Sequence, residues 1–186
     1  MRSVTNKEIA AKLREMAAFY EMEDVQFKPR AYEKAALGVE SSGEEVSDAY
    51  RERGARAFDN IAGVGKGIAG NIEEMLKGGT FKELEKYKKK WPVDIMELTR
   101  VEGVGAMAVK ALWQELKVKN ISDLGKVAKA GKVSELARFG EKSEQKILKG
   151  IEFLKQTGGR KILSDILPEA EKLLALVKEF PEVEEA

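Results

Sequence analysis

Cysteine and histidine are both missing from this 186-residue chain. Without cysteine there are no disulfides and no thiolate metal sites, a composition that fits a reducing interior. Without histidine there is no Ser-His-Asp or Cys-His arrangement, no imidazole ligand for zinc and no proton shuttle near neutral pH. No apolar run is long enough to cross a bilayer, and Met1-Arg2-Ser3-Val4-Thr5-Asn6-Lys7-Glu8 lacks a hydrophobic signal core. The expectation is a soluble, cytoplasmic protein with no membrane partner. An excess of one charge sign is also missing: 33 Lys and Arg face 32 Asp and Glu, a net charge of +1. Any nucleic-acid surface must then be a local basic patch balanced by acid elsewhere.

What is present is helix. Hydrophobic residues form 43% of the chain, enough to fill one compact core or two small ones. Thr5 and Glu8 make a capping box, followed at helical spacing by Ile9, Leu13, Met16, Ala17 and Tyr20. Pro29 suits the first turn of a second helix bearing Ala31, Tyr32, Ala35, Ala36 and Val39 on one face. A short helix over 44–51 ends near Gly54. Another over about 68–77 stops at Gly78-Gly79, and Thr80 with Glu83 reads as a capping box for a helix to about Lys90. Trp91-Pro92 breaks the pattern and marks a boundary between residues 1–90 and 91–186. Beyond it, helices are expected near 95–98, up to Leu116, after a Ser122 cap, over about 143–154 and over about 168–180, with Gly158-Gly159 as a stop. Alternating β-branched runs are lacking, so the expected fold is all-α. Met16, Met22, Met75, Met96 and Met107 read as core filler, Trp91 and Trp113 as packing residues, and Lys82 to Lys90 as a solvated basic face.

One segment occurs twice. Ile61-Ala62-Gly63-Val64-Gly65-Lys66-Gly67-Ile68-Ala69 recurs forty residues on as Val101-Glu102-Gly103-Val104-Gly105-Ala106-Met107-Ala108-Val109. Each copy puts Gly-Val-Gly in a turn between helices. The glycines permit close backbone approach, and the following helix begins with free N–H groups that attract phosphate. One such turn is ordinary capping chemistry. Two at the same phase look like paired helix-hairpin-helix units that grip a phosphate backbone. Leu136-Ala137-Arg138-Phe139-Gly140-Glu141-Lys142 resembles a third, degenerate copy. A second signal is Phe27-Lys28-Pro29-Arg30-Ala31-Tyr32-Glu33-Lys34, where Lys28, Arg30 and Lys34 interleave with an aromatic on a small-residue helix suited to phosphates or bases.

Four segments together resemble the N-terminal part of family-X DNA polymerases: Arg-Ala-Tyr-x-x-Ala-Ala at 30–36, Gly-Val-Gly-x-x-Ile-Ala at 63–69, Leu-Thr-Arg-Val-x-Gly-Val-Gly at 98–105 and Phe-Gly-Glu-Lys at 139–142. The resemblance implies a helical lyase-type domain over 1–90 and a helical thumb domain over 91–186, each with a hairpin. It implies gapped or nicked DNA as partner, with the first hairpin on the strand downstream of the gap and the second on the primer strand; other repair proteins are further possible partners. The DNA-binding set it implies is Lys28, Arg30, Tyr32, Lys34, Gly63, Gly65, Lys66, Gly67, Gly103, Gly105 and Lys110. Lys28 and Tyr32 match the pattern of a 5′-phosphate pocket. Na+ or K+ would be held by the backbone carbonyls of Asp59, Ile61 and Val64, then of Thr99, Val101 and Val104.

Two departures from the family pattern shape the expected chemistry. The Schiff-base lysine of lyase-active relatives falls at Asn71, whose amide is no amine nucleophile, so no catalytic residue is assigned. Lys66 or Lys28 would have to substitute for a residual 5′-deoxyribose-phosphate lyase. None of Asp24, Asp48, Asp59, Asp94, Asp123 and Asp165 forms an Asp-x-Asp pair for two catalytic metals, so no catalytic metal and no nucleotidyl transfer are expected from this chain. Backbone-directed DNA binding leads; the alternatives are the lyase and a scaffold that uses the hairpins only for packing.

Overall fold

The computed structural model describes residues 4–157, and the regular structure among them is entirely helical. The order is α1 (Asn6–Met22), α2 (Lys28–Glu40), α3 (Val46–Arg53), a 3-10 turn (Gly54–Phe58), α4 (Lys66–Gly78), α5 (Lys82–Lys90), α6 (Ile95–Leu98), α7 (Ala106–Leu116), α8 (Ile121–Lys129) and α9 (Glu141–Thr157). The helix expected over about 168–180 and the stop at Gly158-Gly159 lie outside the described residues.

Helix α1 is the hub. Its capping box forms as the sequence requires, with Glu8 N–H donating to Thr5 and Thr5 N–H donating to Glu8. Ile9, Leu13, Met16, Phe19 and Met22 are fully buried, and α2, α5, α6 and α7 all pack on this helix. Burying each such side chain stabilises the fold by about 1.5–3 kcal/mol. The core runs as one cluster from Ile9 to Ile151, continuing through Trp91, whose indole N–H donates to Glu23 at 2.7 Å. Lys88 pairs with Glu15 at 2.9 Å and Lys90 pairs with Glu23, so two lysines of the basic run tie α5 to α1, while Lys82, Lys86 and Lys89 face solvent. Asn6 supplies a long-range cap. Its Oδ1 accepts from Val46 N–H at 2.9 Å and its Nδ2 donates to the Glu44 carbonyl at 2.9 Å, fixing the start of α3 against α1.

Three sequence expectations need correction. Thr80 and Glu83 form no capping box: the N-cap of α5 is Phe81, Thr80 donates to Glu85 at 2.8 Å, and Glu83 turns toward α1. The N-cap of α8 is Asn120, whose Oδ1 accepts from Asp123 N–H at 2.9 Å, which leaves Ser122 inside the helix. Met96 and Met107 are 36% and 37% exposed, because α6 and the first turn of α7 carry them outward on either side of the second hairpin; Met16, Met22 and Met75 are buried as expected.

Two helices touch hairpin backbone through glycine. A Cβ on Gly38 of α2 would lie 2.0 Å from the Ala62 carbonyl oxygen, and one on Gly150 of α9 would lie 3.0 Å from Glu102 N. Gly38→Ala is expected to destabilise the protein by about 1–3 kcal/mol, the usual cost of overpacking. Gly70, exposed in α4 with nothing within 4 Å of its would-be Cβ, should behave oppositely. Gly70→Ala is expected to stabilise by about 0.5–1 kcal/mol through helix propensity. Urea unfolding of both variants checks the pair.

Candidate nucleic-acid interface

The two Gly-Val-Gly turns have the same backbone. Gly63 and Gly103 sit at φ 83° and 88°, a left-handed conformation that favours glycine, while Gly65 and Gly105 are extended N-caps at φ −91° and −86°. Val64 N–H donates to the Ile61 carbonyl at 3.1 Å, and Val104 N–H to Val101 at 3.0 Å. The Ala69 N–H then bonds to the Gly65 carbonyl at 2.9 Å, and Val109 to Gly105 at 3.0 Å. The third copy closes in the same register, Phe139 to Leu136 at 2.8 Å and Glu144 to Gly140 at 3.0 Å. There Arg138 replaces the left-handed glycine and does not share its positive φ.

The helix starts differ in a way that matters for anions. Neither α4 nor α7 has a side-chain cap, and neither has an acidic residue in its first turn. Their first N–H groups and the positive end of each helix dipole are left to an outside ligand. By contrast α9 carries Glu141 and Glu144 in its first turn, and α1, α6 and α8 have side-chain caps. A Cβ added at Gly65, Gly67 or Gly105 meets nothing within 4 Å, so these glycines border open space. Lys66, at the first position of α4, is exposed and forms no ion pair among the described residues. Of the carbonyls expected to hold a monovalent cation, those of Ile61 and Val101 already accept a turn hydrogen bond, leaving one lone pair each.

Helix α2 divides its expected site residues between two faces. Lys34 and Arg30 lie on one, and the Lys34 Cγ would sit 2.8 Å from a Cβ on Gly63, over the first hairpin. Lys28 and Tyr32 lie on the other, in a polar seam with α1, α4 and α5. There Lys28 Nζ donates to Tyr20 Oη at 3.0 Å and pairs with Glu83 at 3.5 Å, while Asn71 Nδ2 donates to Tyr32 Oη at 2.7 Å. Tyr20 donates to Glu83 at 2.5 Å and packs edge-on against Tyr32, with ring centroids 5.2 Å apart. A carboxylate thus occupies the cation where the sequence suggested a phosphate. Glu83 escaped sequence reasoning because its spacing from Thr80 matched a cap; only the fold brings it to Lys28, 55 residues away. Lys110 stands with its ammonium 5.8 Å from the Trp91 ring centroid, a cation–π contact. Phe27, 87% exposed at φ 64°, is a strained N-cap that composition gave no reason to expect.

Comparison with known proteins agrees with this geometry. Residues 4–81 match the helix-hairpin-helix domain family. Over 146 residues, 78% of the chain, the sequence is 31% identical to the DNA polymerase/3'-5' exonuclease PolX of Bacillus subtilis (strain 168), covering 25% of that protein. Over 63 residues, 34% of the chain, it is 35% identical to a DNA ligase of Cytophaga hutchinsonii, covering 9% of it. The chain therefore carries a helix-hairpin-helix domain. More particularly it is PolX-like, similar over most of its length to part of a family-X DNA polymerase. These similarities support DNA binding in a DNA repair or replication enzyme family. Among the described residues no helix is long and apolar enough to cross a membrane.

The tyrosine seam has a pH signature. Burial first, then the hydrogen bond to Glu83, pushes the Tyr20 hydroxyl well above its ordinary value, and burial followed by the charge of Glu23 pushes Tyr87 up to about 12. Such raised groups contribute their full stability below the unfolded tyrosine value near 10. Above it the unfolded chain loses protons that the folded chain keeps, so stability falls by about 1.4 kcal/mol per pH unit per tyrosine. Tyr20→Phe is expected to flatten that alkaline slope, as measured by urea midpoints between about pH 9 and 11.

Proposed function

We propose that this chain grips gapped or nicked DNA through its phosphate backbone, with the first hairpin on the strand downstream of the gap and the second on the primer strand. The observation that carries this is the pair of congruent hairpins whose helix N-termini are uncapped, free of acid and bordered by open space at Gly65 and Gly105. Backbone N–H groups and lysines read phosphates rather than base edges, so binding should show little base preference and fall steeply with salt. In the same proposal Na+ or K+ sits at the carbonyls of Asp59, Ile61 and Val64 and of Thr99, Val101 and Val104, bridging each turn to a DNA phosphate. Holding DNA is favoured over lyase chemistry at Asn71 and Lys28, because Asn71 gives its amide to Tyr32 and the Lys28 amine is engaged by Tyr20 and Glu83; the exposed Lys66 is the amine left to the lyase alternative.

Gly65→Val and Gly105→Val have room inside the protein and ordinary φ, so both variants should fold. Each is expected to weaken binding to gapped duplex about tenfold or more, since a side chain there holds a phosphate off the amides and forfeits charge-assisted hydrogen bonds of about 1.5–3 kcal/mol. Unchanged affinity in both, by fluorescence anisotropy at low salt, would refute backbone gripping by the hairpins.

The 5′-phosphate part of the proposal rests on Lys28 and Tyr32, and a phosphate there has to displace the Glu83 carboxylate. Glu83→Gln is therefore expected to raise the preference for a 5′-phosphorylated gap over a 5′-hydroxyl gap. An unchanged ratio would remove the phosphate from this pocket.

A further inference from the structure

Helix α9 meets the second hairpin as α2 meets the first. In α2, Lys34 stands four residues before Gly38; the glycine docks on the Ala62 backbone and the lysine stem lies over Gly63. In α9, Lys146 stands four residues before Gly150; the glycine docks on Val101 and Glu102, and the Lys146 Cδ would be 3.6 Å from a Cβ on Gly103. A residue four positions away is one turn along the same helix face, so each docking glycine places a lysine beside the left-handed glycine of its hairpin. Lys146 belongs to a stripe. Lys142, Lys146 and Lys149 fall within one narrow face of α9 and are all exposed, while Ile147 and Ile151 turn into the core. Neither Lys142 nor Lys149 has a carboxylate partner among the described residues, and Lys146 pairs with Glu102 of the hairpin turn at 3.0 Å, with both side chains largely exposed.

Resting on the proposed DNA binding, we propose that the Lys142–Lys146–Lys149 face of α9 is a phosphate-binding surface that extends the second hairpin along one nucleic-acid strand, with Glu102 holding Lys146 until a phosphate replaces it. The third hairpin then has a mechanical task. Its own helix start is neutralised by Glu141 and Glu144, and the Glu144 carboxylate accepts from Ser134 N–H at 3.0 Å, so the turn anchors α9 and sets the stripe in place. The ligand is a polynucleotide backbone, because a row of exposed lysines one turn apart on one helix face, beside an anion-seeking helix start, matches a row of phosphates.

Opposed substitutions on one ion pair test this. Lys146→Gln and Glu102→Gln break the same contact, so any effect through stability has the same sign in both. On a fluorescein-labelled duplex with a one-nucleotide gap, Lys146→Gln is expected to weaken binding and lower the slope of log K against log salt by about 0.9, the value for one phosphate contact. Glu102→Gln is expected to tighten binding, and the Lys142→Gln/Lys146→Gln/Lys149→Gln triple variant to lose about 0.9 of slope per lysine. Lys7→Gln, exposed at the start of α1, controls for net charge and is expected to leave the slope unchanged. Shifts of the same sign for Lys146→Gln and Glu102→Gln, no shift in either, or an equal slope change in Lys7→Gln overturns the stripe even when Gly105→Val still weakens binding. A wild-type chain that fails to bind gapped duplex at low salt overturns the proposed DNA binding itself, and the stripe with it.

Discussion

The close approach of two helices to two hairpin loops is the constraint on which the rest of the molecule depends. A hairpin loop of five residues has no core of its own and needs a surface to lie on. Gly38 and Gly150 provide that surface by removing the side chain that would hold α2 and α9 away from Ala62 and Glu102. Once the loops lie flush, the left-handed turns at Gly63 and Gly103 aim the starts of α4 and α7 outward, and α7 closes the core against α1. Hairpin geometry and core geometry are therefore settled by the same contacts.

Acid is distributed as unevenly as the near-zero net charge demands. Most of the described α-helices carry acid in their first turn: α1 with Glu8, α3 with Asp48, α5 with Glu83 and Glu85, α6 with Glu97, α8 with Asp123 and α9 with Glu141. The first turns of α2, α4 and α7 are the acid-free ones among the described α-helices. Those three starts carry Lys28 and Arg30, the first hairpin and the second. A chain with 33 basic and 32 acidic residues can thus present local anion sites, because only the last few ångströms of each helix decide the field there.

Much of this was legible in the sequence, and the limits have physical causes. The Thr5–Glu8 box that starts α1, the extent of α6 and all three hairpin turns follow from local chemistry, in which a residue's partner lies within four positions along the chain. One error was local, with Asn120 rather than Ser122 taking the cap of α8, and another arose where a distant partner displaced a near one. Glu83 abandons Thr80 for Lys28 and Tyr20 because the tertiary seam offers it a charge-assisted bond. Met96 and Met107 share the apolar character of the buried methionines, yet helix orientation beside the second hairpin turns them outward. The glycines at 38 and 150 were in view but mute, since a docking glycine and a merely permissive one are the same letter until the opposing backbone is placed. The lysine stripe of α9 was equally hidden, because its meaning depends on Gly150 meeting Glu102.

Two of the lysines assigned to the proposed phosphates, Lys28 and Lys146, share an electrostatic arrangement. Lys28 rests on Glu83 and Lys146 rests on Glu102, each pair substantially exposed and bridged across different parts of the chain. An exposed ion pair of this kind contributes at most about 1 kcal/mol, so exchanging the carboxylate for a phosphate costs little while sparing the free protein an uncompensated basic cluster. Affinity then comes from the difference between a carboxylate and a phosphate at the same ammonium, added to the hairpin amides that have no internal competitor. Such a site releases its strand readily once the backbone geometry changes. That property would suit the proposed hold on a break in DNA, and the local pairing shows how a basic surface can be built here without a basic protein.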